Sequence, residues 1–395
     1  MILANARLPE KAPADVEIAG GVIRAIHAAG DASPKGERRD LGGLLLLPAF
    51  VDGHIHLDKT HWGAPRLPHV EGHSVRERIA AERAARRRVA PPIEARASAL
   101  IRQLIANGTT RARSHVDIDS DVKLDHMEAV LRVREKYRDW IDIQIVAFPQ
   151  SGVVAKKGAA DLLIEALKAG ADLVGGLDPA GFDGDAKGQL DIIFGLAQRF
   201  GKGVDIHLHD PGEEGAAELR DIAERTAAAG MGGRVAVSHA FALGGVSPSL
   251  FAKTAESLAR AGVAIMTSCP PSAPVPPVRA LRARGVVVFA GSDNIRDCWS
   301  PFGDGDMLDR AAIIAARHEM FTDRELEEAF ALTTSEADKA LGDPRRGLRA
   351  GAAADLVALD AASVADAVVD RPARALVLRA GRIAAQDGVV SAAVP

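Results

Sequence analysis

The stretch from Phe50 to Gly63 reads FVDGHIHLDKTHWG, and three histidines, His54, His56 and His61, fall within eight positions of it. More chemistry-bearing residues recur at the ends of apolar runs. These are His115 and Asp117 in TRARSHVDID, Gln150 in IDIQIVAFPQ, and His207, His209 and Asp210 in GVDIHLHD, followed by His239 in RVAVSHAFA and Asp293 in VVVFAGSDN. Neutral imidazole nitrogens and carboxylate oxygens together suit a divalent ion, zinc or iron, and a catalytic site of this kind keeps a position for water. Residues i and i+2 of a strand share a face. His54 with His56, and His207 with His209, are therefore each expected on one face. His54, His56, His207 and Asp293 are the expected ligands of one ion. Isolated histidines are more often hydrogen-bonded structure, and His27, His73, His126 and His318 are read that way. Asp58, Lys59, His61, His69 and Asp178 are read either as lining the same mouth or as salt-bridged loop residues. His115 and Asp117 read as supports behind the ligands.

Such residues need elements that bring them together. From about residue 44 to 293 short strand-like runs alternate with amphipathic helical stretches. The strand candidates are LLLLPAFVDGHIH, TRARSHVDID, IDIQIVAFPQ, ADLVGGLDP, GVDIHLHD, RVAVSHAFA, VAIMTSCPP and VVVFAGSDN. Helical patterns lie between them, and several end in glycine, which tolerates the left-handed conformation that stops a helix. Eight strands alternating with helices predict a closed parallel sheet, an α/β (β/α)8 TIM-type barrel, whose strand C-termini converge on one mouth. The rival, an open doubly wound sheet, lacks support, because neither Gly-x-Gly-x-x-Gly after the first strand nor Gly-x-x-x-x-Gly-Lys is present. Short strands with glycine turns occur at both ends, in DVEIAGGVIRAIHAAG and in ALVLRAGRIAAQDGVV. They predict one small β-sandwich domain from residues 1–45 and 345–395, flanking a barrel over 46–344.

Bulk composition narrows the function classes. The chain has 395 residues, 47% of them hydrophobic, and a formal net charge of -4 with both signs scattered. No basic stripe of the nucleic-acid-binding kind is present, so a small-molecule partner is expected and nucleic acid is not. The basic run ERAARRRVAPP reads as the solvated face and end of a helix. Two cysteines, Cys269 and Cys298, make neither a disulfide framework nor a Cys-rich zinc site, which fits a reduced cytoplasmic setting. The start, MILANARLPEK, is not patterned as a signal peptide, and LLLLPAFV is far short of a membrane span. A homo-oligomer is the ordinary expectation for a soluble enzyme.

The motifs FVDGHIHLDKT, IANGTTRARSHVDI, WIDIQIVAFPQSG, VDIHLHD, MGGRVAVSHA and GSDNIRDCWSPFGDGDML, in this order, resemble the amidohydrolase superfamily and its cytosine deaminase branch. The closing TTSEADKALG and GLRAGAAADLVALD are similar to the superfamily as well. The resemblance implies that His54 and His56 form the His-x-His metal pair and that His207 is the strand-five ligand. It implies that Asp293 is both ligand and proton acceptor, and that His239 orients the attacking water and the oxygen on the reacting carbon. Gln150 fits the glutamine that reads a pyrimidine edge, and Trp299 a pocket tryptophan. His69 and Asn294 are further candidates for substrate contact. The pattern also departs from the branch. Where a proton-shuttling glutamate stands three residues after the strand-five histidine, this chain has Asp210, with His209 one residue earlier. The second histidine is similar to the neighbouring N-isopropylammelide amidohydrolases, which remove an alkylamine from a triazine ring. The aspartate that usually follows the strand-eight aspartate is Asn294 here.

The implied reaction removes an amino or alkylamino group from a small N-heterocycle. Asp293 takes a proton from water, Asp210 or His209 protonates a ring nitrogen, and His239 stabilises the developing oxyanion. Two alternatives belong to other classes. Ring-opening hydrolases of cyclic amides resemble this chain in fold but carry a metal-bridging lysine at the end of strand four, where this chain reads GGLDPAG. A barrel that holds a metal or ligand without turnover is the other alternative.

Overall fold

The computed structural model describes the whole chain except residues 10–11, 32–35, 71, 73, 87 and 344–345. His73 and the expected domain boundary at 345 lie outside the described residues. Eight parallel strands form one sheet: β1 (Phe50–Ile55), β2 (Thr109–Asp117), β3 (Asp142–Phe148), β4 (Leu173–Leu177), β5 (Gly203–Leu208), β6 (Val235–His239), β7 (Val263–Thr267) and β8 (Val288–Ala290). Each pairs with the next in chain order. A parallel bridge from Ile55 to Asp293 and the bond from Asp293 N to the His54 carbonyl, 2.7 Å, join the last strand back to the first. This is the expected TIM-type barrel. The seam is tight: a Cβ on Gly53 would sit 2.4 Å from the Phe289 ring, and one on Gly291 2.5 Å from the His54 Cβ.

The strands are buried on both faces, as a helix-wrapped parallel sheet requires. Interior positions follow the period of two. Asp52 and His54 continue to His56 on β1, Arg113 and His115 to Asp117 on β2, and Asp205 and His207 to His209 on β5. Asp205, Arg113 and Gln144 thus form a charged layer beneath the histidines. Arg113 donates to Asp205 at 2.8 Å and to Gln144 at 3.0 and 3.1 Å. An unpaired charge at this depth is costly, so the layer is tied together internally.

The terminal strands form two further sheets. One orders Val22–Ala28, Ala14–Ala19, Ile2–Ala6 and Arg38–Asp40; the other orders Val389–Val390, Arg382–Gln386, Arg374–Arg379, Leu356–Leu359 and Leu45–Pro48. The run LLLLPAFVDGHIH is therefore two strands rather than one. Leu45–Pro48 pairs with the C-terminal strand Leu356–Leu359, and the barrel begins only at Phe50. Alternation divides that first strand between two cores: Leu45 and Leu47 join the barrel core, while Leu46 joins the core of the terminal sheets with Leu3, Val16, Leu356 and Leu378. Among the described residues no helix is long and apolar enough to cross a membrane.

Candidate active site

His54 and His56 meet at the barrel mouth with their Nε2 atoms 3.3 Å apart. Oδ1 of Asp293 lies 3.5 Å from His54 Nε2 and 3.4 Å from His56 Nε2. Three candidate ligand atoms thus converge on one point. His207 stands beside them, its ring 4.6 Å from that of His54 and stacked on Phe148 at 4.1 Å. Its closest ligand-type grouping runs through His54 to His115, which stacks on His54 at 3.8 Å. Both ring nitrogens of His207 and of His115 are buried without a hydrogen-bond partner. Buried nitrogens left unpartnered at the centre of a histidine cluster fit a cation site, because burial of an unmet polar group is otherwise unfavourable.

The histidines are held in the ligating tautomer from behind. Nδ1 of His56 donates to the His115 carbonyl at 3.1 Å, leaving Nε2 as the acceptor. The Ser238 hydroxyl donates to Asp205 at 2.8 Å, so its oxygen accepts from His54 Nδ1 at 2.9 Å. Arg113 closes that chain at Asp205. Such partners fix ring orientation and raise ligand basicity. Burial, and then the neighbouring His115, hold His54 well below the usual imidazole range, which keeps the ring neutral. Burial would push Asp293 up, but His239 and His56 hold its carboxyl well below the usual carboxylate range.

Backbone strain clusters at the same mouth. Asp178, His239, Ala240 and Asp293 all have positive φ, 36°, 74°, 47° and 63°. Register pairs His207 with Ser238, so strand alternation alone would turn His239 away from the interior. The left-handed turn at His239 and Ala240 instead brings its ring against His209, stacked at 4.5 Å, with Nδ1 3.9 Å from Asp293 Oδ2. Burial and the adjacent His209 push His239 down to about 3. His209 is gripped by Asp178, which accepts from its backbone N at 2.6 Å and from its Nδ1 at 3.0 Å. Burial alone would lower His209, but Asp178 holds it above the ordinary imidazole value.

Asp210 points elsewhere. It accepts from Gly181 N at 2.8 Å and faces Glu218, whose carboxyl is pushed up to about 8 by burial and by Asp210. Gln150, Lys59 and Trp299 gather on another wall. Lys59 Nζ donates to Gln150 Oε1 at 2.7 Å, lies 3.0 Å from Asp117, and sits over the Phe148 and Trp299 rings at 5.2 and 5.5 Å. Asn294 donates to Asp297 at 2.6 Å, and Asp297 in turn accepts from the Trp299 backbone N. His69 is exposed on the segment after β1. Asp58 bonds His126 at 2.8 Å; with Asp117 these make a second cluster of ligand type, already paired by Lys59 and Arg86. A cavity of about 350 Å³ opens behind Lys59, lined by Asp58, His61, Arg96 and Cys298, and does not include the histidines that face Asp293. The end of β4 brings Leu177 and Asp178 to the mouth.

The basic run is not a solvated face throughout. It ends helix α1 (Val75–Arg86), but Arg86 turns inward to Asp117 and Glu82, and Arg83 to Asp119. Buried carboxylates of β2 and its following loop demand those cations. Glu82 itself was no candidate in the sequence. The available signal was its place on the buried stripe of α1, with Ile79 and Ala85.

The model of the amidohydrolase family matches residues 37–385. The N-isopropylammelide isopropyl amidohydrolase of Pseudomonas sp. (strain ADP) is 36% identical over 99% of this chain and 98% of its own length. The crystal structure of N-isopropylammelide isopropylaminohydrolase from Burkholderia multivorans ATCC 17616 superposes with a TM-score of 0.95 at 43% identity, covering 99% of each chain. That of 5-methylcytosine deaminase from Klebsiella pneumoniae, liganded with 5-fluorocytosine, gives 0.88 at 29% identity, covering 98% of this chain and 97% of its own. The chain belongs to the amidohydrolase family, as a hydrolase of C–N bonds.

Proposed function

We propose that this protein is a metal-dependent aminohydrolase that removes an amino or alkylamino group from a small N-heterocycle. The observation that carries the reading is the convergence of His54 Nε2, His56 Nε2 and Asp293 Oδ1 within 3.5 Å of one another, beside the unpartnered His207. His54, His56, His207 and Asp293 would hold one divalent ion, zinc or iron. When bound, such an ion acidifies water and polarises the oxygen of the reacting centre. The relatives named as N-isopropylammelide and 5-methylcytosine hydrolases support the substrate class.

The residues divide the proton work. Asp293 keeps its second oxygen, Oδ2, within 3.3 Å of the Ser268 hydroxyl and 3.9 Å of His239, and takes the proton of the attacking water. His239, kept neutral by burial, faces the oxygen that develops on the ring carbon. His209 delivers a proton to the ring nitrogen. It is favoured over Asp210 because Asp178 keeps its Nδ1 proton engaged and stacks it on His239, whereas Asp210 is committed to Gly181 and Glu218. Gln150 and Trp299 frame the ring from the side of Lys59; His69 and Asn294 are the outer candidates for substrate contact. Supplying amino-pyrimidines, alkylamino-triazines and cyclic amides in parallel tests the reading. Ammonia or alkylamine release is expected from the first two. Ring opening of the cyclic amides with no amine from any compound would overturn it.

A further inference from the structure

The cavity of about 350 Å³ behind Lys59 takes no part in the chemistry described so far. Helix α2 (Ile93–Ala106) begins at its wall, to which Pro92, Ile93, Glu94 and Arg96 all belong. The N-cap residue, Pro92, supplies no side-chain bond, and the backbone N–H groups of Ile93 and Glu94 have no partner among the described residues. Such a helix start favours an anion. A second observation does not depend on the helix. Arg96 is buried, 7% exposed, and among the described residues its guanidinium donates to two backbone carbonyls, that of Pro91 from Nε at 3.0 Å and that of Thr60 from Nη1. Nη2 is left over, and no acid pairs with the charge. His61, next to Thr60 in the chain, is 8% exposed and lines the same cavity, and its ring has no hydrogen-bond partner among the described residues.

The other charges on this wall are matched. Lys59 and Arg86 share Glu82, at 3.5 and 3.1 Å, and both also pair with Asp117. Arg132 donates to Glu94 at 2.7 Å. Asp58 bonds His126 at 2.8 Å and accepts from the Asp117 backbone N at 3.1 Å. Arg96 remains as a buried cation without its counter-charge, which is costly to leave unmet. Val89, Ile93 and Ala129 add apolar wall. None of His54, His56, His207 and Asp293 lines the cavity. Lys59 and Glu82 bound it on the side of the mouth, where they bond Gln150 at 2.7 and 2.9 Å. We propose that this cavity is a second small-molecule site, separate from the histidine mouth, for an organic monocarboxylate. Its acid group meets Arg96, His61 and the start of α2, and its apolar body lies along Val89, Ile93 and Ala129.

The test titrates the full-length, metal-loaded protein with benzoate and with benzamide, its neutral counterpart, by calorimetry. The parent is expected to bind benzoate about tenfold or more tightly than benzamide. Arg96→Gln removes the cation and should weaken benzoate about ten- to hundredfold, the range for losing a hydrogen bond to a charged group. Ile93→Glu places an acid in the first turn of α2, where a helix tolerates it well. It should exclude benzoate about as strongly with the fold kept, so it decides the matter if the Arg96 variant does not fold. Cys298 also lines the cavity, whereas Cys269 is fully buried. Bound benzoate should therefore slow N-ethylmaleimide labelling of Cys298 about fivefold or more, with Cys298→Ser as the blank. Benzoate bound no better than benzamide overturns the proposal, as does labelling that benzoate leaves unchanged. Parental benzoate affinity in Ile93→Glu overturns it too, because a carboxylate captured at the histidine mouth would ignore that substitution.

Discussion

Removing the Ser238 hydroxyl should loosen the metal without unfolding the barrel. In the parent, that hydroxyl makes two buried bonds, 2.9 Å to His54 Nδ1 and 2.8 Å to Asp205. Ser238→Ala leaves the His54 Nδ1 proton unpartnered and frees the ring to turn or to change tautomer. Either change takes Nε2 away from His56 and Asp293. Loss of such a supporting partner lowers metal affinity about 10- to 100-fold, equivalent to about 1.4–2.8 kcal/mol. Asp205 keeps its ion pair with Arg113, so the charged layer below survives and thermal stability without metal should change little. Competition against a chromogenic chelator measures the affinity directly. Ser238→Thr, which keeps the hydroxyl, should stay close to the parent. An alanine variant with parental metal affinity would refute the idea that this chain of bonds sets the ligating tautomer.

Other outcomes follow from the same geometry. Arg113→Met leaves Asp205 buried without its cation and should cost about 3–5 kcal/mol in urea unfolding; a loss below 1 kcal/mol would contradict the pairing. Gly291→Ala forces a Cβ to within 2.5 Å of His54, so bound metal should fall by more than half while the circular dichroism spectrum stays barrel-like. Glu218 is raised to about 8 in the folded protein from an ordinary 4.5. Its contribution to stability is therefore present below about pH 4.5 and is lost as pH rises through about 8. Glu218→Gln stays neutral, so its Tm relative to the parent should increase between pH 5 and pH 8; a pH-independent difference would count against the raised carboxyl.

The parts of this account that were legible in the sequence are those set by short-range periodicity. Alternating strand and helix patterns fixed eight barrel strands, and i, i+2 spacing placed His54 with His56 and His207 with His209. What stayed hidden depends on distant partners or on backbone turns. The division of LLLLPAF between two sheets follows from pairing of Leu45–Pro48 with residues some 310 positions later, which no local pattern encodes. His239 reaches the mouth only through positive φ at a non-glycine residue, against its strand parity. Asp210 is separated from the histidines by its bond to Gly181, a residue of the preceding loop. Glu82 and the inward Arg86 were concealed inside a run whose composition looks solvent-facing. They face inward because buried Asp117, Lys59 and Gln150 need their charges.

The most direct test of the central claim is a metal titration of activity. The protein is stripped with a chelator, then returned to zinc or ferrous iron in measured increments while alkylamine or ammonia released from an alkylamino- or amino-heterocycle is counted. No release is expected from the stripped protein, and the return should be linear and saturate near one ion per chain, with His56→Asn failing to recover. Amine release that persists after complete metal removal, or recovery in the His56→Asn variant equal to the parent, would contradict it.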